Sequence, residues 1–333
     1  MTITQQPPEV TGPPAVIGPP PVVAPPAPRE VHRDVLIDLM ARDERVVCLD
    51  SDTGLFAGVD WGAAADRYIN LGIAEQNMMS VAAGLARSGR IPYVHTMATF
   101  AATRALEQVK LDIAYNEVPV RIVATHGGLS GGHYGTSHHS LEDVGVMRML
   151  PGMTVLVPSD AATTRELDRA STYRPGPVYL RLGRSGTPDL PAGAETPEIG
   201  RARSLRAGTD VTLVASGPYP VLAALEAAGD LATVGVSAEV LEVHTVKPLD
   251  TEALVAAAEH TTGLVVVEEH WAAGGLGSAV AECVAELGLA RPVRRVAVGD
   301  HFTRGRGGHR HLLAANGITA EEVAARVWEV LGR

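Results

Sequence analysis

The sequence has few aromatic residues, almost no cysteine, no long apolar run and no excess of positive charge. Aromatics make up 4% of 333 residues while hydrophobic residues make up 46%. The core must therefore be aliphatic, built on Ala, Val, Leu and Gly, which suits layered α/β architecture. The length fits two domains of ordinary size. The two cysteines, Cys48 and Cys283, lack metal-ligand spacing, and Cys48 sits in the apolar run 46–49. They read as buried free thiols in a reducing cytosol, which points to a cytoplasmic protein. A formal net charge of −10 argues against nucleic acid as the main partner. No run approaches the ~18 apolar residues that span a membrane, and the N-terminus lacks a charged-then-apolar leader.

Proline is plentiful, and unevenly placed. Eight prolines between Pro13 and Pro28 make residues 1–28 a poor candidate for a packed core. The segment reads as a disordered polyproline II tail, with an SH3-type ligand as the other reading. From Arg29 an apolar stripe (Val31, Val35, Leu36, Leu39, Met40) predicts a helix. Strands are expected at 45–49, 68–71, 91–94, 120–124 and 154–157, with helices over 75–86 and about 99–115. Proline and glycine cluster between 186 and 208, after which alternation resumes. Strands at 211–215, 237–243, 264–268 and 293–298 are separated by helices at 219–229, 250–259 and 275–287. Near-continuous apolar strands alternating with helices predict two three-layer α/β domains with parallel sheets. The boundaries read as a tail over 1–28, a first domain over 29–188, a linker over 189–208 and a second domain over 209–333. Sites in such sheets lie beyond the carboxyl ends of strands. The loops to watch are therefore 50–56, 72–77, 95–104, 125–140 and 181–186.

One of these loops leads into a helix through Asn70-Leu-Gly-Ile-Ala-Glu-Gln-Asn77. A carboxylate at a first helical turn can simply complement the helix dipole. Glu75, however, is flanked by Gly72, Ile73, Ala74 and Met78, an apolar setting expected to keep its carboxyl protonated near neutrality. A neutral carboxylic acid can donate a hydrogen bond to a ring nitrogen.

The segment Gly72-Ile-Ala-Glu-Gln-Asn77, followed by Ala82-Ala-Gly-Leu-Ala86, resembles the cofactor-activating segment of transketolases and deoxyxylulose-phosphate synthases. Val123–Gly128, Gly135–Asp143, Leu150–Asp160 and Pro177–Arg184 extend the resemblance, in order, from about Arg29 to the C-terminus. It implies the C-terminal half of a split, thiamine-diphosphate-dependent transketolase: a pyrimidine-binding domain followed by the transketolase C-terminal domain. In this resemblance Glu75 hydrogen-bonds the aminopyrimidine and favours its imino tautomer, which generates the thiazolium ylide. Phe100, Met97, Arg104 and Asp52 match positions around the cofactor; as plain residues, Phe100 is core and Asp52 a turn former. His126 and His138 match channel histidines, the second near the reacting carbons and able to shuttle protons. Arg184 and Arg29 match arginines that bind a sugar phosphate. A metal reading of His133, His138 and His139 is disfavoured by the surrounding glycines and the lack of a nearby cysteine.

Two departures qualify the resemblance. His133-Tyr134 stands where relatives have Glu-Asp, so the hydroxyl pattern of the accepted sugar is expected to differ. No Gly-Asp-Gly followed about thirty residues later by Asn occurs, so the Mg²⁺-diphosphate site is expected on a second polypeptide, in an α₂β₂ assembly. Three other readings compete. The beta subunit of a 2-oxoacid dehydrogenase would release CO₂, and a carboligase of specialised metabolism would use an unusual acceptor. A non-catalytic regulatory partner would have no use for an intact Glu75 segment. Glycines in Trp271–Ser278 read as strand–helix packing rather than a nucleotide site, and the basic run 304–311 reads as a solvated loop.

Overall fold

The computed structural model describes residues 25–191 and 195–333. All but the last few residues of the expected proline-rich tail lie outside them. The first sheet contains β1 (Val46–Asp50), β2 (Tyr68–Asn70), β3 (Ile91–Met97), β4 (Arg121–Thr125), β5 (Thr154–Leu156), β6 (Val178–Arg181) and β10 (Thr245–Lys247), in the order β10-β5-β6-β4-β3-β1-β2. The second contains β7 (Arg203–Arg206), β8 (Val211–Ser216), β9 (Ala238–Glu242), β11 (Leu264–Trp271) and β12 (Val293–Val298), ordered β12-β11-β8-β9-β7. Both sheets are mixed rather than wholly parallel, because β10 runs antiparallel to β5 and β7 antiparallel to β9. The antiparallel strands are the short pieces that periodicity does not reveal. β7 falls inside the stretch expected as a linker, and β10 is a strand from the C-terminal half that completes the first sheet.

The helices are α1 (Pro28–Arg42), α2 (Glu75–Arg87), α3 (Leu106–Gln108), α4 (Asp143–Met149), α5 (Ala161–Ser171), α6 (Pro218–Thr233), α7 (Thr251–His260), α8 (Leu276–Glu286), α9 (His309–Ala315) and α10 (Ala320–Leu331). Asp160 caps α5 through the Thr163 N–H at 2.7 Å, and Asp250 caps α7 through the Ala253 N–H at 3.1 Å. Such caps each contribute about 1 kcal/mol. The expected continuous helix over 99–115 is instead α3 flanked by π-helical turns, Phe100–Arg104 and Val109–Ala114. The Ala105 N–H reaches back five residues to the Phe100 carbonyl at 3.1 Å, and π turns of this kind cluster at functional sites.

Strand alternation divides the first core in two. Val46 and Cys48 face α1 and α5 together with Leu36, Met40 and Leu167, while Val47 and Leu49 face α2 with Met78, Met79 and Ala82. The second cluster continues without interruption into Val214, Leu241, Val266, Leu276 and Val280, so one apolar body joins the two sheets. Burying each Val or Leu contributes about 1.5–3 kcal/mol. Cys48 and Cys283 are both free and buried. No described helix is long and apolar enough to cross a membrane.

Candidate active site

Parallel strands β1, β3, β4 and β6 end at one edge of the first sheet, and the residues singled out from the sequence collect there. Glu75 is the first residue of α2 and is 2% exposed. Its setting is not purely apolar: Arg104 Nη1 donates to Glu75 Oε2 at 2.8 Å. The same guanidinium lies over the Phe100 ring, with 4.1 Å from Cζ to the centroid. Sequence spacing does not reveal the Arg104–Glu75 pair, whose partners are 29 positions apart.

From Phe100 the contacts run on without a gap. The Phe100 and His138 ring centroids are 5.4 Å apart, and His138 stacks on Tyr134 at 4.8 Å. Tyr134 meets His133 at 4.0 Å and His126 at 6.0 Å, and Arg184 Cζ is 5.9 Å from its ring centre. Arg184 Nη1 also lies 3.3 Å from His133 Nδ1. Eight of the expected residues therefore form one chain of contacts from Glu75 to Arg184. Asp52 and Met97 sit at the same sheet edge but outside this chain. Asp52 accepts from Asn70 Nδ2 at 3.2 Å, and Met97 ends β3 opposite Thr125.

The electrostatics are those of a cationic pocket. Burial, with the neighbouring Arg29 and Arg184 guanidiniums, pushes His126 down from 6.5 to about 3. Burial followed by Arg104 lowers His138, and burial followed by Arg184 lowers His133. These imidazoles are neutral at neutral pH and can accept a proton. The Nε atoms of Arg29 and Arg184 are buried without a hydrogen-bond partner among the described residues. A buried guanidinium N–H without an acceptor is costly, so both arginines are suited to an incoming anion. Asp52 (φ 61°) and His126 (φ 59°) are two of only three described non-glycine residues with left-handed backbone, a strain that concentrates at working sites.

The channel loop is closed at its base by paired hydrogen bonds between Gly128 and Ser140, both 2.9 Å. A Cβ on Gly128 would fall 2.2 Å from Glu269 Oε1, so β11 of the second domain is wedged beneath the loop. Among the described residues no group of three or more His, Cys, Asp or Glu side chains could hold a metal ion.

Sequence reasoning missed a buried polar line beneath this edge. His32 Nδ1 pairs with Asp168 at 2.8 Å, its ring stacks on His95 at 5.5 Å, and His95 Nδ1 lies 3.1 Å from Thr53 Oγ1 and 3.6 Å from Asp50 Oδ1. The available signal was a buried ionisable residue in a mainly apolar strand, Asp50 at the end of β1 and His95 in β3.

Two family descriptions match this chain: transketolase, pyrimidine binding domain, over residues 24–189, and transketolase, C-terminal domain, over residues 200–323. A 6-deoxy-6-sulfo-D-fructose transketolase subunit from Clostridium sp. (strain MSTE9) is 40% identical over 92% of this chain and 94% of its own length. A subunit of an apulose-4-phosphate transketolase from Phocaeicola vulgatus is 38% identical over 82% of this chain and 88% of its own. A solved structure described as a split gene transketolase, inactive beta4 tetramer, superposes with a TM-score of 0.83 at 41% identity, over 92% of this chain and 99% of that one. The chain belongs to the transketolase family, in which it resembles the split-gene subunits, and carries that family's pyrimidine-binding and C-terminal domains in sequence order.

Proposed function

We propose that this chain is the pyrimidine-side subunit of a split transketolase that moves a two-carbon ketol unit from a ketose to an aldose acceptor. The observation that carries the reading is the unbroken line of contacts from Glu75 to Arg184, with a buried carboxyl at one end and, at the other, a guanidinium whose buried Nε has no acceptor among the described residues.

The residues fit the aminopyrimidine of thiamine diphosphate. The planar Arg104 guanidinium bonds the Glu75 carboxylate and covers the Phe100 face, as a planar hydrogen-bonding ring would. Glu75 would hold the ring nitrogen and Phe100 its face, while Met97 and Asp52 border them. When bound, the cofactor supplies a nucleophilic carbon for addition to a ketose carbonyl. His138 takes and returns the hydroxyl proton of the sugar at its imidazole, and His126 orients the substrate. Arg29 and Arg184 anchor its far end. The named substrates of the two relatives end in a sulfonate and a phosphate, tetrahedral anions that forked guanidinium donors recognise alike. Tyr134 and His133 present a phenol and an imidazole to the intervening hydroxyls, which favours an acceptor other than ordinary pentose phosphates.

The diphosphate and its Mg²⁺ would be held by a second polypeptide, in an α₂β₂ complex with sites at the interfaces. Mixing the purified chain with a diphosphate-domain subunit should produce ketol transfer that neither shows alone. Robust transfer by this chain alone would overturn the proposal, and release of CO₂ from a 2-oxo acid by the mixture would move it to the dehydrogenase class.

A further inference from the structure

The chain of contacts from Glu75 to Arg184 contains no side chain from the second domain. That domain nevertheless reaches the channel loop through residues 299–308, which join β12 to α9. The contact is specific. Thr136 Oγ1 donates to the Thr303 carbonyl at 2.8 Å, and His139 Nδ1 lies 2.6 Å from Thr303 Oγ1. The Gly307 N–H donates to the Gly132 carbonyl at 3.2 Å. Gly132 is needed for this approach, since a Cβ there would fall 2.4 Å from Leu312 Cδ1 and 2.6 Å from the Gly307 carbonyl oxygen.

Thr303 is 2% exposed, although its neighbours Phe302 and Arg304 face solvent. Its two bonds land on Thr136 and His139, on either side of His138 in the turn Thr136–His138. One residue of the second domain thus grips that turn at both ends. Inside the turn, the His138 side chain is held by Ser137 Oγ at 2.9 Å and by the Phe100 and Tyr134 rings. Thr303 touches none of these groups, so whatever it does for His138 passes through the backbone of the turn.

We propose that Thr303 is a positioning residue for His138, and that through it the C-terminal domain sets the geometry of proton transfer in the channel. The proposal rests on the reading of His138 as the proton shuttle. A displacement of about 1 Å at such a group costs up to ~10²-fold in rate. Substrate anchoring by Arg29, Arg184 and His126 comes from other segments and is left intact.

The test uses the assembled complex and the variants Thr303→Val, which keeps the shape and the carbonyl but not the hydroxyl, and Thr303→Ser, which keeps both polar groups. Thr303→Val should lower kcat about tenfold with KM changed by less than about twofold, and Thr303→Ser should restore kcat to within about twofold. Thr136→Val, at an exposed position, should lower kcat in the same sense even if Thr303→Val folds poorly. A second readout needs no cofactor. In the isolated chain, the His138 imidazole followed by NMR should titrate closer to 6.5 in Thr303→Val than in wild type, as the turn loosens from Phe100, Tyr134 and Arg104. Unchanged kcat and unchanged His138 titration in Thr303→Val and Thr136→Val would overturn the proposal. So would equal losses in Thr303→Ser and Thr303→Val that track melting temperature, since the hydroxyl would then be irrelevant. His138→Ala separates the two levels. If it abolishes transfer while the Thr303 variants are silent, only this inference fails; if it is fully active, the shuttle reading fails with it.

Discussion

The two sheets end in loops of the same kind, yet β11 of the second sheet and the loops of the first treat charged groups in opposite ways. At the carboxyl edge of the second sheet, Glu268 is 3% exposed and both its oxygens are used, accepting from the Leu276 and Gly277 N–H groups at 2.6 and 2.8 Å. This closes the N-terminus of α8, which has no side-chain cap of its own. Next to it, Glu269 takes the Leu129 N–H and His309 Nε2, so its charge is spent bracing the first domain. At the carboxyl edge of the first sheet, by contrast, Arg29 and Arg184 keep buried Nε atoms without acceptors, and His126 stays neutral in a strained backbone. Around β11, satisfied carboxylates brace the fold; at the other edge, cations without acceptors mark the proposed site. One architecture serves both ends because function depends on which polar groups are left open, not on the sheet beneath them.

The largest effect should follow from changing Glu75 in the first domain. Glu75→Gln keeps size and polarity but cannot act as an acid or base, and ketol transfer by the complex should fall ~10²–10⁴-fold. Hydrogen–deuterium exchange at the cofactor's reacting carbon should slow with it, and exchange within about threefold of wild type would leave Glu75 a merely structural residue. In the brace, Glu268→Ala should instead act on stability. It leaves two helix N–H groups buried without acceptors, a loss of about 1–3 kcal/mol in urea denaturation of the isolated chain. The same substitution should leave KM for the anionic substrate unchanged, which separates the two regions cleanly.

How far the sequence reveals this division depends on the range of the interactions involved. The aliphatic strands of both sheets read directly, because burial on two faces writes a near-continuous apolar run, as in 120–124 and 264–267. β7 and β10 did not read, since three or four residues whose partners are more than thirty positions away leave no local period. Glu75, Phe100, His126, His138 and Arg184 were legible as a set only through ordered motifs. Their mutual contacts come from the folded channel loop, and the Arg104–Glu75 ion pair joins residues 29 positions apart. The basic stretch 304–311 reads as solvated, and Arg304 and Arg306 are exposed, yet Gly307 is bonded to Gly132 of the first domain and His309 to Glu269 of β11. No composition rule places Thr303 beside His139, a contact 164 residues away in the chain.

The cationic pocket makes a pH prediction of moderate size. His126 is held at about 3 in the folded chain against 6.5 when free, so between those values the unfolded chain binds more protons. Its contribution to stability is therefore full above pH 6.5 and is lost as the pH falls toward 3, at no more than about 1.4 kcal/mol per pH unit. Arg184→Ala removes one of the cations that lower it. The His126 resonance should then titrate nearer 6.5, and the acid limb of urea stability should flatten. In the complex, KM for a phosphate- or sulfonate-bearing sugar should rise about tenfold with a smaller change in kcat, as loss of uniform binding requires. An unchanged KM would remove Arg184 from the anion site.

The smallest expected effect concerns which hydroxyls the channel prefers. Tyr134 lies against His133, His138 and Arg184, so its phenol helps define the width and polarity of the passage between Arg184, the proposed anion anchor, and Phe100, the proposed cofactor face. A phenol both donates and accepts a single hydrogen bond at fixed reach, whereas a carboxylate accepts several at shorter reach. An acceptor sugar matched to one leaves a hydroxyl unpaired against the other, a penalty of about 1 kcal/mol, or roughly fivefold in relative kcat/KM. Tyr134→Asp should therefore shift preference toward ribose 5-phosphate and away from the native acceptor, and adding His133→Glu should extend the shift. The new carboxylate also places a negative charge beside His138, so the His138 imidazole should titrate higher in the variant, which gives an internal check that the side chain enters the channel. Wild-type preference for ribose 5-phosphate, together with an unchanged acceptor ratio in Tyr134→Asp, would make His133-Tyr134 a neutral replacement and the channel that of an ordinary pentose-phosphate enzyme.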